Sequence, residues 1–214
     1  MARLVDQIDE IRRSNPVDQE IQLRNPHEWL QLIGEGGFPN VERIYRNLRY
    51  DTNERCNVVS REDIVSSRNN PEECIIKAMM WAFPENVENS PVGTVIGNMQ
   101  SILNTGTDFV GKKITETEFL RTTIRLLNIP GIGNSSVSII LYALDISYDW
   151  RKSVAITNHT LWAFRQFDEL RDYCELGYIP QLMKLNLEAK TLNVDVEQLE
   201  YYLYRVSTEK LNLI

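Results

Sequence analysis

The chain has 214 residues, is 43% hydrophobic and 25% charged, and carries a formal net charge of −7, as expected for a globular domain or two lobes sharing a core. The acidic balance excludes indiscriminate nucleic-acid binding, which rests on Lys and Arg neutralising phosphates, but leaves room for a local basic groove. The longest apolar run, "SVSIILYALDI" from Ser136 to Ile146, is too short to span a bilayer. No signal pattern opens the chain, so a cytoplasmic protein without a membrane partner is expected.

In chain order, the punctuation is helical. Asn25–Pro26, Asn70–Pro71 and Ser90–Pro91 each place a capping side chain before a Pro at a first helical position. Arg43, Arg46 and Arg49 in "VERIYRNLRY" recur every three residues, as on one helix face that could meet phosphate or solvent. Residues 50–70 are the least apolar sizeable stretch and a candidate lobe boundary; within them "CNVVS" is too short to define a sheet. Ile75, Ile76, Met79, Met80 and Phe83 then form an apolar helical face, with Glu72 and Glu73 at its positive end.

Thr115 to Glu118 reads as a capping box and opens a helix with Phe119, Ile124 and Leu127 on one side. Val137, Ile140, Leu141 and Leu144 make the next face. Leu199, Tyr202, Leu203 and Val206 make the last, after a second box-like start at Asp195. The expected fold is all-α with about eight to ten helices. Cys56, Cys74 and Cys174 make no CxxC pair, and His27 and His159 alone hold no ion; reduced thiols and no metal site are expected.

The stretch "LLNIPGIGNSSVSIILYALD", Leu126 to Asp145, poses a sharper question. Ile129–Pro130 stops one helix, and Asn134, Ser135 and Ser136 restart another. Gly131 and Gly133 permit positive φ and close approach of another backbone. The first-turn N–H groups lack intrahelical partners, so they attract an anion through hydrogen bonds and the helix dipole. A phosphodiester meets that chemistry without a lysine; a plain αα-hairpin with a glycine cap explains the turn without any ligand.

"IPGIGNSSVSIILYALDI" (Ile129 to Ile146), "CIIKAMMWAFPENV" (Cys74 to Val87) and "AITNHTLWAF" (Ala155 to Phe164) together resemble the helix-hairpin-helix DNA glycosylases, and within them the 8-oxoguanine DNA glycosylase branch. The resemblance covers roughly residues 70–168. It implies a two-lobed helical glycosylase-like fold, with residues 70–168 as the hairpin lobe and 1–69 with 169–214 as the second lobe of one compact unit. It implies DNA as partner, a monomeric state, and Ile129, Gly131, Gly133, Asn134, Ser135 and Ser136 as the phosphate-binding stretch. Arg43 and Arg46 lie outside the resembling residues; by their spacing they could contact phosphate on the opposite strand or form a solvated face.

In that family an aspartate beyond the hairpin faces the target sugar; here Thr157 or Asn158 occupies the place, followed by His159. Bifunctional members carry a lysine nucleophile after the hairpin. This chain has Ser135, Ser138 and Ile139 there, and no lysine until Lys152, which disfavours a Schiff-base route. Asn158 would position a water and His159 would orient it or bind phosphate. Asn158 also fits as the N-cap of "HTLWAFRQF". A flipped base needs an apolar slot and polar readers; Trp81, Phe83, Glu85 and Trp162 are the candidates, with core packing the alternative for the aromatics.

The reading that follows is a DNA glycosylase-like protein that flips a modified base and hydrolyses its N-glycosidic bond, in repair or in defence against modified foreign DNA. A catalytically silent nucleic-acid-binding relative and a nucleoside hydrolase on the same scaffold are the alternatives. No cofactor is expected, other than a monovalent cation that the hairpin carbonyls could hold.

Overall fold

The computed structural model describes residues 2–16, 19–23, 39–84, 91–106, 114–148, 150 and 153–211. The fold is mostly helical. A 3-10 turn at Leu4–Gln7 leads into α1 (Ile8–Arg13), followed by β1 (Glu20–Leu23), α2 (Pro39–Asn47), β2 (Arg49–Asp51), β3 (Cys56–Ser60) and α3 (Arg61–Ser66). Then come α4 (Pro71–Ala82), α5 (Val92–Gly97), α6 (Met99–Gly106), α7 (Glu116–Leu127) and α8 (Asn134–Tyr148). The last are α9 (Asn158–Phe164), a 3-10 turn at Arg171–Tyr173, α10 (Tyr178–Leu192) and α11 (Val196–Thr208). The chain forms two compact units: Val17–Lys152, and Met1–Pro16 together with Ser153–Ile214.

The larger unit is built on α4 packed along α8. From Ser136 to Asp145 every residue of α8 is buried, so it is a core helix, covered on every side rather than along the one stripe expected. Asn70 caps α4 by accepting the Glu73 N–H, with Pro71 in the first turn, as expected. Cys74 lies at the contact, its Sγ donating to the carbonyls of Ile64 and Ala143, and burial pushes its thiol up to about 11. Ser60 and Asp63 form a capping box at α3.

A three-stranded antiparallel sheet lies in the same unit, in the order β1-β3-β2. This corrects the expectation that "CNVVS" is too short to define a sheet. As the central strand, β3 buries Cys56, Val58, Val59 and Ser60, so it shows no alternation to read. Arg49 is also corrected: α2 ends at Asn47, and Arg49 stands on β2 opposite Val58. Pro91 immediately precedes α5 rather than opening it; Ser90, Asn25 and Pro26 lie outside the described residues.

In the smaller unit α11 is the centre, packed by α9, α10 and α1. Leu199, Tyr202, Leu203 and Val206 are buried, the face expected from their spacing. Tyr202 donates its hydroxyl to Gln7 Oε1 at 3.2 Å. Burial raises that phenol to about 12, with the nearby Glu10 charge adding to the shift. Asp195 and Gln198 complete the capping box.

Candidate functional site

The hairpin is held from both sides. Thr115 accepts the Glu118 N–H, and Glu118 Oε2 takes the Thr115 N–H at 2.8 Å, fixing the start of α7. At its far end the Ile129 N–H donates to Leu126 O, and the Ile132 N–H to Ile129 O, at 3.1 Å each. Ile132 is buried and pins the turn, while Gly131, Gly133 and Asn134 are exposed. Ile129 and Ser135 are half-buried, and Ser136 is buried.

The two glycines differ. Gly131 has φ +81°, and a Cβ there would stand 2.8 Å from Thr94 Cγ2, so the fold itself requires glycine. Gly133 has no positive φ, correcting the expectation for that position, and a Cβ there would meet nothing within 4 Å. The Gly133 carbonyl accepts the Val137 N–H at 2.9 Å, which starts α8. Among the described residues, no acceptor faces the N–H groups of Gly133, Asn134, Ser135 or Ser136.

The expected cationic helpers are already engaged. Arg43 pairs with the half-buried Glu73 at 3.5 Å, and the exposed Arg46 with the exposed Glu42 at 2.7 Å. Lys77 fastens the start of α4, with Nζ donating to Ser67 Oγ at 2.8 Å and lying 3.1 Å from Glu73 Oε1. These groups line a polar cleft of about 180 Å³ with Asn69 and Asn70. Burial alone would raise the Glu73 carboxyl. Hydrogen bonds from Lys77 and Ser67 and the charges of Lys77 and Arg43 outweigh it and hold that group below its ordinary value.

The Thr157–His159 segment lies in the smaller unit, whereas the hairpin lies in the larger one. Ser153 to Thr157 are buried; Asn158 and His159 are exposed. Thr157, not Asn158, is the N-cap of α9: its Oγ1 accepts the Thr160 N–H, and Asn158 is the first helical residue. The cap moves back one residue because a threonine at Thr160 can close the reciprocal pair, its Oγ1 accepting the Thr157 N–H at 3.3 Å. His159 Nδ1 lies 3.1 Å from Ser207 Oγ, and the ring meets Tyr204 edge-on at 5.5 Å. Tyr204 stacks in turn on Tyr201.

The base-pocket candidates divide between the units. Trp81 is 2% exposed, and the Arg61 guanidinium lies 4.8 Å over its ring and 5.7 Å from that of Tyr142. Arg61 Nε also donates to Gln19 Oε1 at 2.8 Å, so Trp81 is one wall of a buried cation cage. Phe83 is half-buried at the end of α4. Trp162, in the smaller unit, is 45% exposed. Glu85 lies outside the described residues, as do Asn86, Lys112, Lys113, Arg151 and Lys152.

Thr160 and Glu200, neither of them part of an apolar periodicity, meet beside the Thr157–His159 segment. Thr160 donates its hydroxyl to Glu200 Oε1 at 2.9 Å, and Glu200 is fully buried. The available signal was a glutamate three residues before Leu203, at the edge of an otherwise apolar face. No group of three or more His, Cys, Asp or Glu side chains among the described residues is placed to hold a metal ion. No helix among them is long and apolar enough to cross a membrane. Comparison with protein-family models, with curated proteins and with solved structures finds no match for this chain.

Proposed function

We propose that the chain is a helix-hairpin-helix DNA-binding protein of glycosylase type, which removes a modified base by hydrolysis. The observation that carries the reading is the turn before α8. It presents amides from Gly133 to Ser136 with no acceptor among the described residues, beside a glycine that the fold does not require. A phosphate oxygen accepts from such amides and gains from the positive helix end. The open space at Gly133 admits it. Asn158 and His159, both exposed at the start of α9, act at the sugar: the amide oxygen of Asn158 holds a water, and His159, steadied by Ser207, orients it.

Incubation with duplexes carrying different modified bases, followed by alkali to reveal abasic sites, tests the proposal. Strand scission by wild type, lost in Asn158→Ala with DNA affinity retained, is the expected result. Equal base release by both proteins removes Asn158 from the reaction. A second reading, a silent binder, is favoured by Thr157: at the place of the family aspartate it is buried and committed to capping. Hairpin-dependent binding without base release from any duplex decides for that reading.

A further inference from the structure

Thr157, Asn158 and His159 supply no carboxylate to a hydrolytic step. Glu200 is fully buried in the same unit. Burying a carboxylate is costly unless it is well served by hydrogen bonds. Thr160 donates to Glu200 Oε1 at 2.9 Å, and Thr157 Oγ1 lies 3.1 Å from Thr160 Oγ1.

A hydroxyl has one hydrogen and two lone pairs. The hydrogen of Thr160 is spent on Glu200, so the hydrogen between the two threonines comes from Thr157. Thr160 Oγ1 also accepts the Thr157 N–H at 3.3 Å, which fills its second lone pair. The hydrogens therefore run one way, from Thr157 through Thr160 to Glu200. Thr157 is buried, at 7% exposed, and is followed by the exposed Asn158, so the outer end of the chain lies one residue from the side chain proposed to hold the water.

We propose that Glu200 is the terminal proton acceptor of the reaction, reached through the hydroxyls of Thr157 and Thr160. The inference rests on the hydrolytic reading of the Asn158 site. As the water oxygen bonds to C1′, its proton passes to Thr157 Oγ1. Thr157 gives its own proton to Thr160, and Thr160 gives its proton to Glu200. The C1′–N bond breaks, and its electron pair leaves with the base, which takes a proton from solvent. The proton on Glu200 returns to solvent along the same hydroxyls.

The test compares wild type with Glu200→Gln, Thr160→Val and Thr160→Ser as full-length proteins, in base release and in duplex affinity. Glutamine keeps an oxygen that accepts from Thr160 but cannot take the proton, so kcat falls by about 100-fold or more while KM holds. Thr160→Val does the same, and Thr160→Ser retains activity. A role confined to holding α9 predicts the reverse, with Glu200→Gln near wild type. Should Glu200→Gln not fold, the valine and serine pair decides. An active wild type with unaltered Glu200→Gln or Thr160→Val turnover overturns the relay alone. A wild type that binds duplex but releases no base overturns the hydrolytic reading and the relay with it.

Discussion

At the scale of residues, the two hairpin glycines separate what the fold needs from what a ligand needs. Gly131 is held at φ +81° against Thr94. Gly131→Ala is expected to lower stability by about 1–2 kcal/mol from the backbone alone, before the clash, measured by urea unfolding. Gly133→Ala meets open space and is expected to unfold at the wild-type urea midpoint yet bind duplex more weakly, since its methyl stands where the phosphate is proposed. Equal affinity of Gly133→Ala and wild type would count against the hairpin as the contact. The thiols divide just as cleanly. Cys56 and Cys74 are buried and Cys174 is half-exposed, and burial holds the Cys74 thiol protonated up to about 11. Alkylation of the native protein at neutral pH, read by peptide mapping, should mark Cys174 first and reach Cys74 only on unfolding. The sequence identified the two glycines as special but not which one serves the fold, because Gly permits either sign of φ and the approach of Thr94 comes from a helix more than thirty residues earlier.

At the scale of elements, the caps carry the clearest expectations. Thr115 closes a reciprocal box with Glu118 at the start of α7, and Thr115→Ala should cost about 1 kcal/mol in thermal or denaturant unfolding. The start of α4 responds to pH. Glu73 is held below its ordinary value of 4.5, so its contribution to stability is present above that value. It is lost as pH falls through the lower folded-state value. Glu73→Gln should therefore be less stable than wild type near neutrality and converge with it in acid, followed by denaturant midpoints across the acid range. Caps were legible because each is a local exchange of hydrogen bonds within four residues: Asn70, Thr115 and Asp195 all cap as their spacing predicts. At α9 the same rule placed the cap one residue late. Asn158 is the stronger capping type, but Thr160 offers its hydroxyl to the Thr157 N–H, and that partner is not part of the Asn preference.

At the scale of the whole molecule, the charge of −7 bears on binding. Arg43 and Arg46 are already paired with glutamates, so duplex affinity, if carried by hairpin amides, releases few counterions. The expected slope of log affinity against log salt is shallow, about −2 to −3, well short of a basic-groove binder; a much steeper slope would place the interface elsewhere.

The mostly helical fold, the caps at Asn70, Thr115 and Asp195 and the buried faces of α4 and α11 were determined by the sequence alone, because each follows from periodicity or hydrogen bonding within a few residues. Partnerships across long separations were decided only by the tertiary structure. Its pairing set β3 as a central strand between β1 and β2, put Arg61 over Trp81, and brought Glu200 onto Thr160 forty residues away. The physical reason is that a strand buried on both faces and a polar group buried against a distant partner leave no period in the chain. Their stability comes from groups that only the folded backbone brings within bonding distance.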